Sequence, residues 1–152
     1  MWEGVRGETV YLDSNIIILA IETGNRWQLQ LRELFELIDD GHVFAVTSEV
    51  TLAEALAKPL REKADDLVER YEVVLDPSPS PIEIAPVTRS ILRLAAEAQA
   101  ELGIKLIDAI HVATARSSAC RYPLTNDFRV GRKLRHPIWI SLEQAQGGLP
   151  DD

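Results

Sequence analysis

Asp13, Glu54, Asp108 and Asp127 are spread over most of a 152-residue chain, yet each sits at a telling point of the hydrophobic pattern. Asp13 closes the β-preferring run Thr9-Val-Tyr-Leu12, and Asp127 follows Tyr122-Pro-Leu-Thr125 by one residue. Asp108 falls in the first turn of a largely apolar helical stretch, 105–115. Glu54 shares the i, i+3, i+4 face of Val50, Ala53 and Ala57, a face expected to bury. Taken singly, the aspartates occupy cap and turn positions that favour aspartate whatever the function, and Glu54 would be ordinary on an exposed face. Four acids meeting at one place, however, repel each other unless some stay protonated or a cation sits among them. The cation is the simpler solution. Oxygen donors without cysteine suit Mg2+ or Mn2+, which polarises a phosphate and lowers the pKa of a bound water so that it attacks in line. His111, one turn after Asp108, is a candidate further participant, although a lone histidine on an apolar helix is more often structural.

The elements that must position these acids alternate along the chain. Strands are expected at 9–12, 43–46, 73–75, 82–85, 122–125 and 138–141. Helices are expected at 16–21, at 27–40 up to Gly41, at 49–57 with Thr47-Ser48 as N-cap and Pro59 as terminator, at 60–72, at 87–102 up to Gly103, and at 105–115, with a terminal helical turn at 142–146. Strand and helix in alternation predict an α/β domain with a mostly parallel sheet. Ligands of such sheets gather outside the carboxyl ends of the strands, the edge to which Asp13 and Asp127 both point. Residues 1–146 are read as a single domain and 147–152 as a loose tail.

Composition narrows the function classes. With 46% apolar and 26% charged residues the chain is an ordinary globular protein, and its longest aliphatic run, Ile16 to Ile21, is far too short to span a membrane. Cys120 is the only cysteine, so neither an intrachain disulfide nor a zinc cluster is expected. The first residues lack the basic and apolar regions of a signal peptide, and a cytoplasmic location is expected. The formal charge of -8 argues against a general nucleic-acid binder, but Arg121, Arg129, Arg132, Lys133 and Arg135 stand against Asp127 alone between residues 121 and 136. A phosphatase or receiver-like reading is disfavoured: no Gly-rich phosphate loop is present, and Asn15 stands where an Asp-x-Asp pair needs its second acid.

The segments Tyr11-Leu-Asp13-Ser-Asn15, Ser48-Glu-Val-Thr-Leu-Ala-Glu54, Leu106-Ile-Asp108-Ala-Ile-His-Val-Ala-Thr-Ala115 and Leu124-Thr-Asn-Asp127 resemble, in order, the four acidic motifs of PIN-domain nucleases. The resemblance is closest to the VapC-type toxins of toxin-antitoxin pairs and covers residues 9 to 141. It implies a three-layer α/β/α fold around a five-stranded sheet and a Mg2+- or Mn2+-dependent endoribonuclease. Asp13 and Asp108 would be the principal metal ligands, with Glu54 and Asp127 completing the cluster directly or through water. Ser14, Asn15, Thr125 and Asn126 would position waters, carboxylates or the scissile phosphate. Arg129, Arg132, Lys133 and Arg135 would take the RNA backbone. A small antitoxin and a homodimer are the implied partners. The alternative is a non-catalytic RNA- or protein-binding module on the same fold.

Overall fold

The computed structural model describes residues 1–78, 80–127, 133–134 and 137–150. Its strands are β1 (Thr9–Leu12), β2 (Phe44–Ser48), β3 (Ile82–Ala85), β4 (Tyr122–Thr125) and β5 (Ile140–Ser141). They pair in the order β3-β2-β1-β4-β5, every pairing parallel. The helices are α1 (Ser14–Ile21), α2 (Gln28–Asp39), α3 (Val50–Arg61), α4 (Asp65–Val74), α5 (Arg89–Leu102), α6 (Leu106–Ser117) and α7 (Leu142–Gln146), after a 3-10 turn at Glu3–Val5. They lie on both faces of the sheet, as parallel connections require.

The central strand shows how two cores arise from one short run. Successive side chains of a strand point to opposite faces. Val10 and Leu12 therefore join Ile16, Ile17, Leu31, Leu34 and Tyr71 on one side. Tyr11, between them, joins Val46, Ile91, Ala95 and the buried face of α6 on the other. From β1 the chain builds outward to β2 and β3, then crosses back to add β4 and β5 on the far side. The order thus reverses between β1 and β4, and a crevice must open where the two strands end.

The structure departs from the sequence expectation at several places. Val73 and Leu75, expected in a strand, belong to the end of α4: Leu75 donates its N–H to the Tyr71 carbonyl at 2.9 Å, and Leu75 is buried while Val73 is 68% exposed. A helical period, not alternation, governs them. Pro59 lies inside α3 rather than ending it. It falls in the last turn, where the single backbone bond that proline removes is lost from an end already closing at Arg61. Thr47 and Ser48 extend β2, where Thr47 and Ser48 pair with Ile84 and Ala85. The last strand is confined to Ile140–Ser141, and Ser141 then caps α7 through a capping box with Gln144. Leu149, in the expected loose tail, packs against the first core cluster.

Candidate active site

Asp13 is where β1 turns into α1. Its backbone N–H still reaches the Leu124 carbonyl of β4 at 3.3 Å, and its side chain caps α1 by accepting the Ile16 N–H at 3.0 Å through Oδ1. Its other oxygen accepts the hydroxyl of Thr125, the last residue of β4. Next to it, the Leu12 carbonyl accepts the Thr47 hydroxyl at 2.7 Å, so the end of β1 is held from both neighbouring strands. Asp13 is only 7% exposed. Burial pushes its carboxyl from 3.8 up to about 6, against the hydrogen bonds from Thr125 and Ile16 and the opposing influence of His111, with Glu54 adding to the rise.

Thr125 does a second job. Its Oγ1 accepts the backbone N–H of Asp127 at 2.9 Å, so one buried hydroxyl fixes both the Asp13 carboxylate and the start of the loop that carries Asp127. Asp108 is the third residue of α6, half-buried, where an anion is favoured by the helix dipole. His111, one turn on, is 5% exposed and engaged at both ring nitrogens, by Tyr11 and by Glu54.

Glu54 is placed differently from its sequence expectation. The buried face of α3 is Thr51, Ala55 and Pro59, so Ala53 and Ala57 turn outward with Glu54, while Val50 packs against the second core cluster. The glutamate side chain is 32% exposed and faces the crevice, its Oε1 held 2.6 Å from His111 Nε2. It reaches the other acids from the rim rather than from the core.

Asp13, Glu54, Asp108 and Asp127 line one cleft of about 360 Å³, together with Ser14, Asn15, Thr125 and His111. Four lining residues were not picked out by sequence: Lys105 and the exposed Leu106 and Ile107 at the start of α6, and the buried Trp139. Lys105 is marked only by preceding an acid-bearing helix, and Trp139 only by adjoining a strand. Asn126 is not among the lining residues. Nor is Lys133, whose ammonium lies 3.4 Å from the Leu102 carbonyl at the end of α5, where free carbonyls attract a cation. Arg129, Arg132 and Arg135 lie outside the described residues.

Among the described residues no three carboxylate, imidazole or thiol groups stand close enough to hold one ion jointly. The donor chemistry nevertheless fits a hard cation: all the acids facing the cleft offer oxygen, and the one imidazole is already committed at both nitrogens. Mg2+ keeps several waters and needs only one or two direct carboxylates. Asp13 and Asp108 could supply those contacts, with Glu54 and Asp127 acting through water.

The sequence matches the PIN domain family model over residues 10–133, and the chain belongs to the PIN domain family. No curated protein matches it. Among solved structures it is similar to VapBC2 of Rickettsia felis bound to a DNA fragment from the promoter, at 17% identity and TM-score 0.66, covering 88% of this chain and 98% of that one. It is also similar to Mycobacterium tuberculosis VapC20, a Sarcin-Ricin loop cleaving toxin, at 14% identity and TM-score 0.66, covering 81% and 93%. A toxin-antitoxin complex from Klebsiella pneumoniae shares the fold at 19% identity and TM-score 0.61, covering 86% and 99%.

Proposed function

We propose that this chain is a Mg2+- or Mn2+-dependent endoribonuclease and the toxin of a toxin-antitoxin pair. The observation that carries the reading is the set of four carboxylates lining one cleft at the point where the strand order reverses. A divalent ion bound there would activate a water and polarise the scissile phosphate. The chain's own residues do the rest. Asp13 and Asp108 hold the ion. Glu54 and Asp127 complete the acidic cluster, and Ser14 and Asn15, which line the cleft, orient waters or the phosphate beside them. Thr125 keeps Asp13 aimed at the cleft. Because burial favours protonated Asp13, ion binding below about pH 6 releases a proton, strengthens as pH rises towards that value and levels off above it.

RNA as substrate is supported by the likeness to a toxin named for cleaving the Sarcin-Ricin loop. An antitoxin partner is supported by the likeness to toxin-antitoxin complexes. Lys105, which lines the cleft, would meet a backbone phosphate, and Arg129, Arg132 and Arg135 follow Asp127 closely enough in sequence to do the same. Self-association as a homodimer is supported by the apolar side chains exposed on the helices, Leu29, Leu60 and Val73 among them. Among the described residues no helix is long and apolar enough to cross a membrane, and a cytoplasmic protein is the reading adopted.

The test is incubation of the purified chain with RNA in saturating Mn2+. Cleavage leaving 3'-hydroxyl and 5'-phosphate ends is expected. Tight RNA binding without turnover would instead support the second reading, a binding module whose acids serve only the fold.

A further inference from the structure

His111 lies between a fully buried phenol and a cleft carboxylate. Tyr11 Oη is 2.7 Å from its Nδ1, and Glu54 Oε1 is 2.6 Å from its Nε2. An ionised carboxylate only accepts, so the Nε2 proton points at Glu54 and Nδ1 presents a lone pair to the tyrosine. The Tyr11 hydroxyl therefore donates its proton to the imidazole. Packing fixes the ring planes as well. Tyr11 meets His111 edge-on at 5.9 Å between centroids and Trp139 at 5.7 Å.

The ordinary account of such a histidine is mutual satisfaction of buried polar groups. It explains Tyr11 but not Glu54, whose side chain is 32% exposed and has water to bond with. A glutamate free on a helix surface samples many rotamers, and fixing it costs side-chain entropy. Here that ordering is already done before any ligand arrives. We infer that His111 is a positioning residue: the chain Tyr11 hydroxyl, His111 imidazole holds Glu54 through Oε1 and leaves its second oxygen for the acidic cluster. This rests on the reading of Glu54 as part of that cluster. It inverts the usual arrangement in which a carboxylate orients a metal-bound histidine.

The test is calorimetric titration of Mn2+ into the full chain, for wild type, Glu54→Gln, His111→Leu, His111→Gln, Tyr11→Phe and the double variant Glu54→Gln/His111→Leu. His111→Leu should weaken Mn2+ binding about tenfold, and His111→Gln, whose amide can still donate to Glu54, should recover it to within about threefold of wild type. In the Glu54→Gln background, His111→Leu should add no further loss. Tyr11→Phe keeps the ring contacts and should weaken binding by a smaller factor in the same direction. Equal losses in His111→Leu and His111→Gln, wild-type affinity in Tyr11→Phe, or an undiminished His111→Leu effect without Glu54 would each overturn the inference while leaving the nuclease reading intact. No Mn2+ binding by the wild type would overturn both.

Discussion

Asp13→Asn should make the metal-free protein more stable at neutral pH while removing its proposed chemistry. The folded carboxyl titrates near about 6 against an ordinary 3.8, so the folded state binds this proton more tightly than the unfolded chain does. Between those values the folded form carries the extra proton, and stability falls as pH rises. Above about 6 the whole penalty is present: about two pH units at 1.36 kcal/mol each, or about 3 kcal/mol. Asparagine carries no charge and escapes it. Against that gain, the Thr125 hydroxyl loses its carboxylate acceptor, a cost of about 1 kcal/mol. The net expectation is about 2 kcal/mol at pH 8, which for a chain of this size raises Tm by about 4–8 °C. Thermal melts by circular dichroism, in EDTA at pH 8 and pH 4.5, measure it. The advantage of the variant should shrink to nothing or reverse at pH 4.5. A less stable variant at pH 8, or an equal gap at both pH values, would refute the reasoning.

Thr125→Val takes a donor from Asp13 and an acceptor from the Asp127 amide. It should cost about 2 kcal/mol at pH 8 and less at pH 4.5, whereas Thr125→Ser should melt close to wild type. Lys105→Gln should raise KM for RNA with little change in kcat and should lower the salt slope of binding by about 1, measured by fluorescence anisotropy across a salt series. Gly103 caps α5 at φ +62° with open space where a Cβ would go. Gly103→Ala should therefore cost about 1 kcal/mol from backbone strain alone, read by urea denaturation.

The alternating strands and helices were legible because each buried element carries its own period: Thr9-Val-Tyr-Leu12 reads as a strand whatever surrounds it. The C-terminal strand ends were legible too, since Asp13 follows its apolar run directly and Asp127 follows its own by one residue. Glu54 was not, because helix rotation depends on neighbours. The pattern placed it on a buried face, but Thr51, Ala55 and Pro59 fill that side of α3. Val73-Val-Leu75 misled for a related reason. Three β-preferring residues look like a strand until Tyr71, one turn earlier, supplies the helical partner. The roles of Tyr11 and Thr125 are long-range facts. The hydrogen bonds that define them cross 100 and 112 residues of sequence, and no local pattern announces them.

The central claim is that acids gathered where β1 and β4 end hold a divalent ion that cuts RNA. Its most direct test is the rate of RNA cleavage against Mn2+ concentration for wild type and Asp13→Asn side by side. The account predicts saturable, EDTA-reversible cleavage by the wild type and a loss of at least about 1,000-fold in a variant that is still folded, as expected when a buried direct ligand is removed. Cleavage by Asp13→Asn at the wild-type rate, or wild-type cleavage that EDTA leaves untouched, would contradict it.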